Sequence, residues 1–176
     1  MKLKGGPTQD EVMAVALQKL GLREGDHFAD IGCGTAKVSI AASRVVEDVV
    51  AVDDRSEAIE VARAEIAASG RDNIRLMEMT ATDYLRGPIA LDCAFVGGTG
   101  DLDEVLTLLS LKVRRTIVVN AVMLGSLNQA IKSMERLGIF KEAIQVNISR
   151  SHQIAGGIMF KPIDPVFIIV GSVERC

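Results

Sequence analysis

Residues 30–36 read DIGCGTA, and the fold is decided there. A short apolar segment, Phe28, Ala29 and Ile31, runs into Gly32 and Gly34, and a helical pattern starts at Lys37. The glycines therefore sit at a strand-to-helix turn, where an open α/β sheet receives a nucleotide. Asp30 argues against a pyrophosphate, because like charges at close range in a partly desolvated cleft repel. The dinucleotide fingerprint also fails: counted from Gly32 and Gly34, its last glycine place falls on Lys37. Both observations disfavour an NAD dehydrogenase and favour a ligand that carries positive charge and no phosphate.

Outward from this turn the chain alternates helix and strand. Thr8 with Glu11 has the spacing of a capping box, and Val12, Val15, Ala16 and Leu20 keep helical periodicity over residues 9–20, stopped by Gly21. Strands are expected at 26–31, 49–53, 73–79, 91–98 and 116–120. Helices are expected at 36–44, at 56–69 with Ser56 as cap, at 104–109 and at 126–137. The last forty residues change character. Two strands, 143–148 and 166–173, follow with no helix between them, joined by a loop that holds His152, Gly156, Gly157 and Lys161. The expectation is a doubly wound α/β fold with seven strands, mostly parallel, ending in an antiparallel pair. Chemistry then belongs in the loops beyond the strands' carboxyl ends, at 30–36, 53–56, 80–84, 97–101 and 120–125.

Composition limits the class. A chain of 176 residues that is 48% hydrophobic suits one domain spanning residues 1–176. The first four residues are too polar for a signal peptide, and no apolar run approaches the roughly 20 residues of a membrane span, so a cytoplasmic protein is expected. Cys33, Cys93 and Cys176 lack metal-ligand or disulfide spacing, and no metal site is expected. A net charge of −3, one Tyr and no Trp leave neither a basic field nor stacking rings for nucleic acid.

The pattern acidic-x-Gly-x-Gly-x-Gly is the signature of Rossmann-like methyltransferases that use S-adenosyl-L-methionine (SAM). This chain resembles it with Asp30, Gly32 and Gly34, and departs with Ala36 as the last small residue. SAM carries an ammonium and a sulfonium that Asp30 would favour. Asp53 ends the second strand 19 residues after Gly34, the spacing of a carboxylate that accepts both ribose hydroxyls. The competing reading is that Asp53 and Asp54 merely begin the next helix. Where related enzymes place an acid beside the adenine amine, this chain has Thr80, so the Ala81 backbone is expected to help, with Asp83 as a substitute.

A closer resemblance spans nearly the whole chain. GGPTQDEV, DIGCGTAKVSI, AVDDRSEAI, AFVGGTG, VNAVML and GGIMFKPIDPVFIIVG resemble, in that order, the CbiT-type methyltransferases of cobalamin biosynthesis. These methylate carbon 15 of a cobalt-precorrin, a tetrapyrrole, and remove carbon dioxide from the ring C acetate. The resemblance implies SAM contacts at Thr8, at the turn of Gly32, Cys33, Gly34, Thr35 and Ala36, and at Asp53 and Ala81. It also implies a homo-oligomer, a tetramer, with no nucleic acid or membrane partner. Relatives often carry a glutamate where this chain has Gly125, so a carboxylate role there has no carrier.

Precorrins bear many carboxylates. The amides of Gly97, Gly98 and Thr99 ahead of a helix are candidates to hold one of them, with Asn120, Arg150 and Lys161 as further substrate contacts. His152 is the candidate proton donor after carbon dioxide leaves, set against a merely solvated loop histidine. His27 reads as structural. Cys33 at a helix start has a setting that lowers thiol pKa, although bound SAM would cover it. Two other readings compete: a SAM methyltransferase acting on RNA, protein or another small molecule, and a nucleotide-binding module without catalysis. AFVGGTG lacks the acidic or Asn-Pro-Pro-aromatic tetrad of amino-methylating nucleic-acid enzymes.

Overall fold

Near-continuous apolar segments such as FADI and LDCAFV bury both faces, as central strands of a parallel sheet must. The computed structural model describes residues 8–98 and 100–173. In chain order the elements are α1 (Asp10–Leu20), β1 (His27–Ile31), α2 (Lys37–Ala42), β2 (Asp48–Asp53), α3 (Ser56–Ser69), β3 (Ile74–Glu78), α4 (Ala81–Arg86), β4 (Leu91–Val96), α5 (Leu102–Lys112), β5 (Val113–Ala121), α6 (Leu124–Arg136), β6 (Phe140–Ile154) and β7 (Gly157–Ser172). The strands form a seven-stranded sheet in the order β3-β2-β1-β4-β5-β7-β6. β1 to β5 pair in parallel, β7 runs antiparallel to β5, and β6 antiparallel to β7. The α/β class, the strand count and the closing antiparallel pair agree with the sequence expectation.

Both faces of the sheet are covered. Val12, Ala16 and Leu20 of α1 and Val38 and Ala42 of α2 pack on one face against Phe28, Val49, Cys93, Phe95 and Val118. Leu102, Leu106 and Leu109 of α5 and Ala130 and Met134 of α6 cover the other, against Ile31, Val52, Val96 and Val119. At the strand ends remote from the glycine turn, Arg115 grips Asp26 with two 2.8 Å bonds and also donates to the Gly21 carbonyl. That pair ties β5 to the entry of β1 and leaves the opposite ends of the strands open for a ligand.

Several local expectations change. α1 begins after Gln9 with no side-chain cap, so Thr8 and Glu11 form no capping box; Glu11 instead meets Arg150 at 2.7 Å. Ser56 does not cap α3, because its hydroxyl donates to Glu78 and the N-cap position is Arg55. The loop expected at 80–84 is mostly α4, capped by Thr80, whose hydroxyl accepts the Asp83 amide. The loop expected between the last two strands is a turn at Ala155 and Gly156, and His152, Gly157 and Lys161 belong to the strands. The two strands are 15 and 16 residues long, so their outer half projects as an arm beyond β5.

Candidate active site

A cavity of about 350 Å³ opens beyond the carboxyl ends of β1, β2 and β4. The turn that floors it is held by main-chain bonds: the amides of Gly32 and Cys33 both donate to the Val52 carbonyl, and Gly97 donates to the Ile31 carbonyl. Gly32 is required here. Its φ is +72°, and a Cβ would lie 2.7 Å from the Gly98 amide nitrogen, backbone against backbone.

Thr8, Asp30, Gly32, Cys33, Gly34, Thr35, Asp53, Thr80 and Ala81 all line the cavity, as do Gly97 and Gly98. Ala36 does not; it is buried beneath the turn at φ 58°, the left-handed residue from which α2 starts. Thr8 reaches the site through its backbone, its carbonyl accepting from Lys37 Nζ at 2.9 Å, while Lys37 also pairs with Asp10. The residue that breaks the dinucleotide spacing thus fastens the segment before α1 to the turn.

Of the four carboxylate residues that line this space, Asp30 and Asp53 are buried, and under opposite conditions. Asp30 is fully buried, and its Oδ2 accepts the Ser39 amide at 3.0 Å and the Ser39 hydroxyl at 2.5 Å. Its Oδ1 has no partner. Burial pushes its pKa up to about 6 against the opposing pull of Ser39. Asp53 is buried as well, and desolvation alone would raise its pKa. The Arg55 guanidinium and the Gly34 and Arg55 amides outweigh that and hold it below the usual carboxylate range. The Asp53 contact with the Arg55 amide shows that it also shapes the start of α3, so that competing reading has a structural basis.

Thr80 spends its hydroxyl proton on Asp83 at 2.7 Å, and Asp83 also approaches Arg86 at 3.7 Å. The carboxylate considered as a substitute is thereby engaged within α4. Cys33 departs from expectation: α2 has six residues and the thiol is buried beside Asp30 and Asp53, so desolvation first, then those charges, raise its pKa.

Of the substrate candidates, Gly97 and Gly98 line this cavity, whereas Asn120, Arg150 and Lys161 are not part of its lining. Asn120 follows the Val119–Val96 pair, which brings it alongside Gly97, and its buried Oδ1 is unpartnered. Arg150 and Lys161 face each other across the β6–β7 ladder, and Arg150 is paired with Glu11. His152 is exposed opposite Met159 on the arm. Thr99 is outside the described residues, as are Cys176 and the GG-Pro portion of the first motif. The N-terminus of α5 carries Asp101, Asp103 and Glu104; Arg136 and Arg86 neutralise the last two. That load opposes a carboxylate ligand at the helix end, and because the Gly97 amide is spent on the Ile31 carbonyl, Gly98 is the better donor of the two.

Sequence reasoning missed Arg55, Asp54, Lys37 and the apolar lining of Val52, Met79 and Phe95. Arg55 had a signal: a cation two residues after a site carboxylate can fold back on it. Among the described residues, no group of three or more His, Cys, Asp or Glu could hold a metal ion.

Comparison with known proteins places the chain in a family. A family model described as a precorrin methyltransferase domain matches residues 2–172. A Methanosarcina acetivorans protein named cobalt-precorrin-6B C(15)-methyltransferase (decarboxylating) is 46% identical over 99% of this chain and 97% of its own. Among solved structures, a Methanobacterium thermoautotrophicum protein described as precorrin 8W decarboxylase superposes with a TM-score of 0.92 at 30% identity, covering 97% of this chain and 95% of that one. A Geobacter metallireducens precorrin-6y C5,15-methyltransferase gives 0.91 at 30% identity, covering 98% and 94%.

Proposed function

The chain belongs to the precorrin methyltransferase family, and on that premise we propose that it methylates carbon 15 of a cobalt-precorrin from SAM and releases the ring C acetate carboxyl as carbon dioxide, in cobalamin biosynthesis. The observation that carries the reading is the pair of carboxylates around one glycine turn: Asp30 with an orphaned buried oxygen, and Asp53 at the rim. A ligand with a cationic end and a ribose matches both, and Gly32 lets the loops after β1 and β4 pack backbone to backbone where any side chain would collide.

When bound, SAM supplies an electrophilic methyl on a sulfonium. The rest is placement. Asp53 and the Gly34 amide orient the ribose, Asp30 favours the cationic end, and Thr80 and Ala81 border the adenine. Gly32, Cys33, Gly34 and Thr35 present their backbone to the methionine portion, with Ala36 supporting the turn from beneath and Thr8 closing the mouth. Methyl transfer needs alignment and exclusion of water rather than a strong base. The macrocycle accepts the electrons left when carbon dioxide departs. Gly97, Gly98 and Asn120 border the acceptor side, with Thr99 in the same loop, and Arg150, Lys161 and the proton donor candidate His152 lie on the arm.

The arm supports a homo-oligomer, with the tetramer as the state the resemblance implies. Ile154, Ile158, Met159 and Phe160 are exposed there, with Phe160 68% accessible. The cross-strand pairs place Met159 opposite His152 and Phe160 opposite Ser151, so apolar side chains stand on both faces. Among the described residues β6 is also the edge strand of the sheet, a position that invites further pairing. No helix among the described residues is long and apolar enough to cross a membrane, and a cytoplasmic location fits the reading. Titration with SAM and separately with NAD tests the cofactor assignment: binding of SAM alone is expected, and preference for NAD would overturn it.

A further inference from the structure

The Asp53 carboxylate is full. Oδ1 accepts the Arg55 amide at 3.1 Å and Arg55 Nε at 2.9 Å; Oδ2 accepts the Gly34 amide at 2.9 Å and Arg55 Nη2 at 2.9 Å. An ionised carboxylate offers about four lone-pair directions, and all are occupied. Two ribose hydroxyls cannot be added without removing two of these donors. The amides are built into the turn and the start of α3. The other two donors sit on a long side chain that is 44% exposed, whereas the Asp53 side chain is 1% exposed.

The geometry points to the Arg55 guanidinium as a displaceable occupant of the nucleoside site, which saturates Asp53 in the free protein and leaves when a cis-diol binds. This rests on the SAM reading of the cavity. A buried carboxylate stripped of its partner is strongly destabilising, so the empty site needs a countercharge, and Arg55 supplies it. The diol then replaces a two-pronged ion pair with two hydrogen bonds from neutral donors, which lack its charge–charge attraction. Arg55 therefore lowers nucleoside affinity and eases product release. It acts on the ribose half of a ligand and not on the methionine half.

The test is calorimetric titration of wild type, Arg55→Met and Arg55→Lys with S-adenosylhomocysteine, adenosine and 2′,3′-dideoxyadenosine. Removing the competing donors in Arg55→Met should tighten the two diol ligands by about three- to tenfold. Dideoxyadenosine should be unchanged, and the free variant should melt at a lower temperature. In wild type, salt screens the ion pair, so diol affinity should rise with salt; that slope needs no variant and should disappear in Arg55→Met. Arg55→Lys should fall between, since one ammonium cannot make the two-pronged contact. Equal or weaker binding of the diol ligands by Arg55→Met, or the same change with dideoxyadenosine, would overturn the displacement. If folded wild type binds no S-adenosylhomocysteine, the cofactor reading falls and the displacement falls with it; normal binding without the Arg55 effect removes the displacement alone.

Discussion

The centre of the sheet and its outer antiparallel pair are finished in opposite ways. Around β1, β2 and β4, the Asp30 and Asp53 carboxylates are buried and held by hydrogen bonds, with Asp30 Oδ1 left without a partner. Around the outer half of β6 and β7, apolar side chains stand in solvent on both faces of a two-stranded arm. A paired polar cleft is complete within one chain and waits only for a small ligand. An apolar arm is complete only against another surface. On the proposed reading, the difference separates binding of the methyl donor, assigned to the cleft, from assembly, assigned to the arm.

The largest expected break on the cleft side is Gly32→Ala. The new Cβ meets the Gly98 nitrogen at 2.7 Å at a φ of +72°, and strain with overpacking should cost about 2–4 kcal/mol, lowering the melting temperature and abolishing S-adenosylhomocysteine binding. Gly156→Ala is its counterpart in the arm. There φ is +77° but open space surrounds the added methyl, so only about 1 kcal/mol is expected and ligand binding should persist. Comparable losses in the two variants would break the contrast.

Asp53→Ala should weaken S-adenosylhomocysteine by about 1–3 kcal/mol, or about fivefold to 150-fold; an unchanged constant would remove the ribose assignment. A smaller effect is expected from pH. Asp30 has a folded-state pKa of about 6 against an ordinary 3.8, so the folded protein holds that proton more tightly than the unfolded chain. Its contribution to stability is therefore greatest at low pH, declines as pH rises from 3.8 to about 6, and is flat above. Asp53 works the other way: its lowered pKa makes a contribution that is lost on acidification. Ionised Asp30 attracts a cationic ligand, so SAM affinity should rise as pH passes about 6, and Asp30→Asn should flatten that rise. A wild-type profile without an inflection there would contradict the role given to Asp30. Smallest of all, replacing Ile158 and Phe160 together by Glu should dissociate the assembly in sedimentation while leaving S-adenosylhomocysteine affinity within about twofold. Loss of ligand binding in that variant would show that the two regions are not independent.

The same division explains what could be read in advance. Gly32, Gly34 and Asp53 were legible because a turn of fixed geometry needs those residue types at that spacing. β1, β2 and β4 were legible because buried parallel strands are short and largely apolar. α4 escaped because its six residues follow Thr80 in what reads as a loop, and the Thr80 hydroxyl that caps it had been considered for adenine. The length of β6 and β7 escaped because their outer halves bury neither face within the chain and so lack a one-sided alternation. Arg150 was considered for the substrate, but its partner Glu11 lies 139 residues away, beyond any local pattern. The occupation of Asp53 by Arg55 is likewise a matter of rotamer, which spacing does not reveal.

The most direct measurement is mass spectrometry of a cobalt-precorrin-6B incubated with the protein and SAM carrying a labelled methyl group. The expected product gains the labelled methyl in place of one hydrogen and loses one carbon dioxide, with S-adenosylhomocysteine formed in equal amount. A tetrapyrrole returned unchanged by protein that binds SAM would contradict the assignment.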